Sequence, residues 1–311
     1  MTLGVYKDRN ALILIKSFLV FFGFMMLSFF LSDIISESVL DGFKFALNVI
    51  LPTLFPFMIF SDIASRHLSF EKSRFFSCAF ERTFKINRVG ISAFLSGMVG
   101  GFPVGARNAL MLCEDGKISK CECERLMSFA NIPSPAYVVC AIGLTILSSF
   151  KLGIALYLSV VLSSVFTGII IGKNKSFSSF TELNKRQKYS FVSSVKSSAN
   201  AALNAVFFIS FFFAISEFIR QLPIKSIFKA LIISLIEITA SVAYISDLCI
   251  LSLRIRIAII AFSLSFSGIS VISQSLAISK KCDVSLQKII IYKLLQGVIS
   301  FIIILVLPIH F

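Results

Sequence analysis

Charged residues, histidines and acidic residues are all scarce in this chain. Of its 311 residues only 15% are charged and two are histidine, while 57% are hydrophobic. An ordinary soluble domain carries roughly 25% charged residues, so the composition excludes that class. The sequence also shows no phosphate-binding loop, no Ser-His-Asp set and no pair of catalytic carboxylates. We therefore expect a membrane protein that is not an enzyme.

The seven cysteines do not form a recognisable metal-binding pattern. They include no CxxC pair, and the nearest approach to one is Cys121-Glu122-Cys123. The two histidines, His67 and His310, lie far from it in the sequence. Because this spacing fits none of the usual zinc sites, we predict no metal site, no disulfide and no cofactor.

Long apolar runs dominate the chain and approach the ~17–25 residues that a helix needs to cross a bilayer. We predict an all-α polytopic membrane protein with about seven to eight transmembrane helices plus one or two Gly/Ser-rich re-entrant hairpins. Two apolar pieces, 89–106 and 257–279, are too broken by Gly and Ser to count as full crossings. The predicted spans are 12–32, 43–64, 133–150, 152–172, 200–219, 230–251 and 286–308.

The net charge of +14 lies in short connections rather than on one surface. Segments 66–88 and 173–196 each hold six Lys or Arg, whereas 33–41 holds three acidic residues and no base. This pattern is typical of cytoplasmic loops, so we expect a cytoplasmic N-terminus, membrane lipid as a partner and no nucleic acid. If both basic segments are cytoplasmic, an even number of crossings must separate them, and the spans 133–150 and 152–172 already supply two. We therefore predict that 89–106 enters and leaves the membrane on the same side, as a re-entrant hairpin.

The most informative motif is GGFPVGAR, which contains Gly100, Gly101, Pro103, Gly105 and Arg107. Lipid cannot hydrogen-bond to exposed peptide groups, so a Gly/Pro break at membrane depth must face protein or a wet cavity. Such breaks are candidate substrate sites, and the arginine that follows is suited to a carboxylate. The alternative for the glycines is close helix packing.

Asn131 and Ser134 begin the next predicted span, beside two prolines. An Asn side chain and carbonyls freed by proline can bind a ligand, although helix-start capping explains them equally well. Upstream, Ser119 and Glu122 have the spacing of a capping box, which predicts a helix start on a solvated surface helix.

A carboxylate stands near the middle of a predicted span at Glu237. A charge at this depth is costly, so we expect it to bind a coupling proton or cation. The alternative is a structural ion pair with Arg107 or Lys293. Downstream lies a polar counterpart of the first hairpin, whose candidate residues could line a passage or join helices by hydrogen bonds. They are Ser265, Gly268, Ser270 and Gln274.

Two pairs of segments resemble each other in sequence: 38–48 resembles 194–204 and, at an offset of 168, 93–115 resembles 261–283. Repeats with inverted topology and broken helices are a transporter signature. We therefore expect two inverted-repeat halves. The predicted division is a transmembrane helix at 1–35, a first repeat at 36–172, a basic cytoplasmic linker at 173–198 and a second repeat at 199–311.

Four motifs in this order resemble the YlbJ-type sporulation integral membrane proteins, which contain a nucleoside-recognition or Gate domain. They are the stretch 100–107, the stretch 118–137, the tripeptide from Glu237 to Thr239, and the stretch 265–274. The resemblance extends over residues 38–308. The chain departs from the family's pattern at Ile132, Ser134, Ala240, Ser241, Ser267 and Ile272.

The resemblance implies a role in endospore formation, in the mother-cell-derived outer membrane of the forespore. It implies export of dipicolinate, a small dianionic substrate, toward the forespore, and hairpins like those of concentrative nucleoside transporters. Arg107 would then hold carboxylates, Asn131 and Gln274 would orient the ring, and Thr239 would lie in the same site. The alternatives are a nucleoside or nucleobase transporter and a non-transporting sporulation scaffold, and a homo-oligomer stays open.

Overall fold

The computed structural model describes residues 32–67, 74–173, 191–277 and 282–308, with the isolated positions 22 and 175. Every regular element in these ranges is helical. Two of the segments are π-helical: Ala46–Ile50, which joins α1 to α2, and Ala136–Ile146. The α-helices are α1 Ser32–Phe45, α2 Leu51–His67, α3 Arg74–Phe84, α4 Gly90–Gly100, α5 Val104–Glu114, α6 Lys120–Ala130, α7 Phe150–Gly172, α8 Phe191–Gln221, α9 Ser226–Ile236, α10 Ile238–Ser246, α11 Leu253–Phe266, α12 Gly268–Ala277 and α13 Leu286–Val306.

Four stretches of the described chain are long and apolar enough to cross a membrane. They are Phe150–Gly172, Phe191–Gln221, Leu253–Ala277 and Leu286–Val306. With the shorter apolar helices they make this an all-helical integral membrane protein, as predicted. The spans predicted at 152–172, 200–219 and 286–308 coincide with three of them, whereas 12–32 lies almost wholly outside the described residues.

The predicted span 230–251 is wrong as a single crossing, because the helix breaks at Glu237. This residue is extended, with φ −145° and ψ 130°, and its carboxylate accepts a 2.6 Å hydrogen bond from the N–H of Ala240. The side chain thereby caps α10, which begins anew at Ile238. The span predicted at 133–150 is also irregular, because its helical part runs only from Ala136 to Ile146 and is a π-helix.

Helices α4 and α5 fold back on each other and are here named hairpin one; the Gly/Pro break lies at its tip, and the second arm extends beyond the predicted segment 89–106 to Glu114. The Nδ2 of Asn108 donates to the Oγ of Ser96 at 2.7 Å, which joins the two arms. A methyl group added at Gly97 or Gly105 would collide with the carbonyl oxygen of Ala130 in α6. Both glycines therefore serve close packing, which for Gly105 is the alternative considered for the motif.

Helices α9 and α10 form a second helical hairpin, hairpin two, with its tip at Glu237. The hydroxyls of Ser234 and Ser241 lie 2.8 Å apart across its arms. At its open end Arg220 of α8 lies over the ring of Tyr244, 5.3 Å from the centroid. The sequence signals that mark hairpin one, glycine and proline, are absent from this tip.

Hydrogen bonds and an ion pair show which residues lie at each end of the helix bundle. At one, here named the basic end, Arg125 donates to the carbonyl of Lys85 at 2.7 Å and Lys288 pairs with Glu124 at 2.8 Å. At the opposite end Arg254 donates to the carbonyl of Leu305 at 3.1 Å.

Each hairpin opens toward a different end of the bundle. Near the base of hairpin one, the N–H of Asn87 donates to Glu122 of α6 at 2.8 Å, which places that base at the basic end. Hairpin two ends at Ser246, whose carbonyl accepts a hydrogen bond from Arg256 at 2.6 Å. Arg256 lies near the start of α11, so the open end of hairpin two is at the end of the bundle opposite the basic end.

Helix α6 is buried, so the prediction of a solvated surface helix at this point is wrong. The capping box of Ser119 and Glu122 is present and starts the helix as predicted. Arg125 is only 4% exposed, and its guanidinium also donates to the carbonyl of Phe84 at 3.2 Å. Burial lowers the pKa of Arg125, and these backbone carbonyls compensate for the lost hydration.

Buried serines form a seam between α7 and the last two spans. The hydroxyls of Ser163 and Ser265 lie 3.3 Å apart, and Ser300 donates to Ser159 at 3.2 Å. All four side chains are fully buried. Small hydroxyl residues let helices approach closely in a membrane while their polar atoms remain satisfied.

The expectation that no cysteines pair is corrected by a disulfide between Cys113 and Cys282. The two residues are 169 positions apart, at the end of α5 and just before α13. Such a pairing depends on the tertiary fold and leaves no local spacing in the sequence.

Candidate substrate site

The tip of hairpin one rests directly on the irregular segment that follows α6. Gly101 has φ +70°, and a methyl group added there would lie 2.5 Å from the backbone nitrogen of Ser134. Only glycine allows this backbone shape together with this closeness. The peptide groups of the tip and of the break are thus held together inside the bundle.

Hairpin two makes the equivalent contact with the break between α11 and α12. Gly268 has φ +63°, and a methyl group there would lie 2.9 Å from the carbonyl oxygen of Ile236. Ser267, just before it, is left-handed at φ 77° and ends α11. Each hairpin tip therefore packs against an interruption in a longer helical segment.

A cavity opens where these two tips and two breaks meet. About 490 Å³ of space free of protein atoms lies there, part of it open to solvent. Both hairpin tips, the break after α6 with the π-helical segment that follows it, the π-helical segment 46–50, α8 and α12 contribute to the wall. The lining residues are Ile50, Phe102, Ser134, Tyr137, Ala205, Ile209, Glu237, Ile238, Thr239, Ser270, Val271 and Gln274.

Polar groups in the wall are held in fixed positions by one another. The hydroxyls of Tyr137 and Thr239 lie 3.1 Å apart and join the first break to hairpin two. The Oγ of Ser134 accepts from the N–H of Tyr137 at 3.2 Å. Glu237 is 1% exposed and contributes the one charged side chain among the described lining residues.

A buried lysine lies beside the cavity rather than in its wall. Lys293 of α13 is 1% exposed, and its Nζ lies 6.0 Å from the ring centroid of Phe102. The ammonium donates to the carbonyl of Asn131 at 2.5 Å and to Gln296 Oε1 at 3.3 Å. These acceptors, and the carbonyl of Ser265 at 3.4 Å, are neutral.

Neither buried charge forms an ion pair with a described residue. The ion pairs recorded for that part of the chain involve neither Glu237 nor Lys293. The structure therefore does not support the alternative in which Glu237 pairs with Arg107 or Lys293. Two separate buried charges in a membrane protein are costly and usually mark a functional site.

Next to the ammonium lie two polar atoms for which no described residue provides a hydrogen-bond partner. They are Oδ1 of Asn131 and Nε2 of Gln296, both fully enclosed. Asn131 does use its Nδ2, which donates to the Oγ of Ser275 at 2.8 Å. A buried orphan of this kind costs about 1–3 kcal/mol, so two of them beside a lysine are unusual.

Comparison with known proteins adds one relative. The chain is similar to the sporulation integral membrane protein YlbJ of Bacillus subtilis (strain 168), at 24% identity over an alignment of 320 residues. The match spans 87% of this chain and 77% of that protein. The YlbJ-type resemblance is confirmed. No family model and no solved structure matches the chain.

The structure brings together five of the site residues predicted for this chain. Those in the cavity wall are Ser134, Glu237, Thr239, Ser270 and Gln274. The others lie outside the wall, where several support the tips and breaks that shape it. They are Gly100, Gly101, Pro103, Gly105, Arg107, Asn131, Ser265 and Gly268.

The structure places Lys293, rather than Arg107, next to the cavity, although the sequence pointed to Arg107 as the residue that binds a carboxylate. Arg107 is half-buried on α5, which leads from the tip of hairpin one toward the basic end. Lys293, considered only as an ion-pair partner, is the enclosed cation next to Phe102. The signal that could have identified it is a lysine well inside a 21-residue apolar helix.

Proposed function

We propose that this protein is a membrane transporter of a small organic anion. The observation that supports this best is the cavity at the two hairpin tips and the two helix breaks, with a buried lysine and a buried glutamate that do not pair with each other. Transporters hold substrates at such places because freed peptide groups and half-helix ends present partial charges to them. The specific substrate proposed is dipicolinate, moved from the mother cell toward the forespore during sporulation.

The element order supports two inverted-repeat halves with a different correspondence from the 168-residue echo. Each half contains a first long helix, a hairpin, an interrupted helix and a closing span. On this basis hairpin two, rather than the segment 265–274, is the counterpart of hairpin one. The segment 265–274 then corresponds to the break that contains Ser134. Since the hairpins open to opposite ends of the bundle, both would be re-entrant, one from each side.

The basic end is proposed to face the cytoplasm. An added methyl at Gly172 would lie 2.6 Å from the carbonyl oxygen of Phe84, so segments 66–88 and 173–196 begin or end side by side. Both carry six basic residues, and the positive-inside rule places such segments in the cytosol.

Substrate and coupling ion would bind to the two separate buried charges. The ammonium of Lys293 would attract a carboxylate past Phe102, and the orphan atoms of Asn131 and Gln296 would gain partners. An ionised Glu237 would repel the same anion by about 3 kcal/mol per unit charge at ~5 Å and an effective dielectric of ~20. Binding of the anion therefore favours a protonated or cation-bound Glu237, which is the required coupling.

A nucleoside or nucleobase transporter is the second candidate. One observation favours it: the described cavity wall has a carboxylate, a tyrosine, hydroxyls and an amide, but no lysine or arginine. Such a wall can hydrogen-bond to a neutral base and sugar without charge compensation. In this candidate Lys293 would only stabilise the fold, through its hydrogen bonds to Asn131 and Gln296, and would not bind substrate.

Flux into proteoliposomes separates these functions. The purified protein is reconstituted, and uptake of labelled dipicolinate is measured with a pH gradient in either direction, alongside labelled uridine and adenine. We expect saturable dipicolinate flux that depends on the gradient and is not inhibited by nucleosides. Flux of nucleosides alone would favour the second candidate. Absence of any flux, with normal recruitment of partner proteins, would favour the scaffold.

The sporulation role has its own measurement. The name of the B. subtilis relative supports such a role. We expect spores from a deletion strain to contain little dipicolinate, although the mother cell makes it. Normal dipicolinate content in those spores would contradict the proposed substrate.

A further inference from the structure

Three cysteines that are distant in sequence come together at the basic end. Cys113 ends α5, Cys123 lies in α6 and Cys282 precedes α13, and their sulfur atoms all lie within 4.8 Å of one another. Cys123 is fully buried and stands outside the disulfide, with its Sγ 3.4 Å from the carbonyl oxygen of Ala109. Cys113 and Cys282 are partly buried against the same apolar cluster.

Neighbouring contacts hold two of the three elements, α6 and the segment before α13, together independently of the sulfurs. Glu124, adjacent to Cys123, accepts from the N–H of Ser285 at 3.0 Å and pairs with Lys288 at 2.8 Å. The segment that contains Cys282 is thereby fixed to α6. A binding site whose ligands are positioned before the ion arrives loses little entropy when it binds.

The location of the cluster determines the oxidation state expected in the cell. Arg125, two residues after Cys123, donates to the carbonyls of Phe84 and Lys85 at the end of the basic segment 66–88. The cluster therefore lies on the side proposed to be cytoplasmic, a step that rests on the proposed function. Cytosolic thiols are kept reduced, so Cys113 and Cys282 would be present as thiols there.

We propose that Cys113, Cys123 and Cys282 bind a thiophilic metal ion, Zn²⁺ or Cu⁺, through three thiolates. Each thiol releases a proton as its sulfur coordinates the ion, so three protons leave for each ion bound. With Zn–S bonds of ~2.3 Å, tetrahedral angles require sulfurs ~3.8 Å apart, which sulfurs within 4.8 Å of one another reach with shifts of about 1 Å once Cys113 and Cys282 are reduced. A water molecule would supply the fourth ligand to Zn²⁺. Soft thiolates select these two ions over Mg²⁺ or Ca²⁺.

A bound ion would link the base of hairpin one to the start of the last span. Cys113 and Cys123 belong to the proposed first half, and Cys282 belongs to the second. The ion would thus connect the two halves at the basic end, away from the cavity, and its function would be structural.

Cadmium is the probe, because its thiolate complexes absorb in the ultraviolet. The detergent-purified full chain is reduced, freed of metal with a chelator and titrated with Cd²⁺, then with Zn²⁺ and Cu⁺ in competition. We expect one Cd²⁺ per chain and loss of the absorption band on Cys123→Ser. This variant is the most informative because it leaves both disulfide partners intact. Cys121→Ser, two residues away and exposed, is the matched control and should retain the band.

Elution on size-exclusion chromatography shows whether each variant is folded. Displacement by Zn²⁺ alone or by Cu⁺ alone identifies which ion the site prefers. An unchanged band in Cys123→Ser would overturn the proposal. So would a Cys113–Cys282 disulfide found in protein alkylated inside cells before lysis. Because the readout does not use transport, its failure alongside normal dipicolinate flux would leave the proposed function intact.

Discussion

Replacing Gly101 by alanine measures how tightly the tip of hairpin one is held against the break after α6. Gly101 combines φ +70° with ψ −158°, a region that is essentially restricted to glycine. The added methyl would lie 2.5 Å from the nitrogen of Ser134 and 2.7 Å from its Cβ. Gly116 is the matched control, because its φ is also +70° but an added methyl would have no neighbour within 4 Å.

The two substitutions differ in their expected cost. Gly116→Ala should cost only the strain of a left-handed alanine, about 1–2 kcal/mol. Gly101→Ala should cost about 1–3 kcal/mol in backbone strain and a further ~1–3 kcal/mol from overpacking against backbone that cannot rotate away. The expected total is about 2–6 kcal/mol. Ser134→Gly should recover only part of this in the double variant, because the nitrogen remains.

Thermal stability in detergent, read as the surviving monomer peak of a fluorescent fusion, provides the assay. At about 2–4 °C per kcal/mol for chains of ~150–250 residues, Gly101→Ala should lower the midpoint by several degrees more than Gly116→Ala. It should also weaken solute binding, since Ser134 lines the cavity. Equal midpoints for the two variants would refute the tip-to-break contact.

Three further predictions concern charged residues in and around the cavity. Lys293→Met should reduce binding of a dicarboxylate at least ~10-fold, because a charged hydrogen bond is worth ~1.5–3 kcal/mol, while Lys229→Met, at a half-buried lysine outside the cavity wall, should not. Unaltered binding in Lys293→Met, measured by calorimetry, would contradict this. Glu237→Gln should bind the anion but lose the pH dependence of flux, whereas Glu217→Gln, at an exposed ion pair, should keep it. Arg107→Ala should leave binding within about 2-fold of wild type, because Arg107 is outside the wall; a large loss would restore the role first suggested by the sequence.

Uniform apolar runs made the membrane spans predictable. Phe150–Gly172 and Leu286–Val306 are long, strongly apolar and free of proline, so length and hydropathy suffice to identify them. The glycine-proline stretch likewise identified hairpin one, because both residue types interrupt helices by known mechanisms. Hairpin two lacked these signals. Its tip forms because one glutamate adopts an extended backbone and caps the next helix, and the sequence indicated only that this charge was out of place.

Contacts between distant segments were beyond local pattern reading. Lys293 reaches Asn131 across 162 positions, and Cys113 reaches Cys282 across 169. Neither pair has a fixed spacing that a motif could encode. The burial of α6 escaped for a related reason, since its charged residues find backbone and side-chain partners that only the assembled bundle provides.

The hydroxyl seam has a consequence for movement. Its contacts, from Ser163 to Ser265 and from Ser159 to Ser300, join α7 of the proposed first half to two helices of the proposed second half. Neutral hydrogen bonds between membrane helices contribute only ~0.6 kcal/mol each on average. Serine hydroxyls can rotate to a new acceptor on the same surface, so displacement by a few ångströms would exchange such bonds rather than abolish them. The hydrogen bonds of the seam would therefore add little resistance to such a displacement, whereas the contacts of Gly101 and Gly268 leave no room for an added methyl at the two tips.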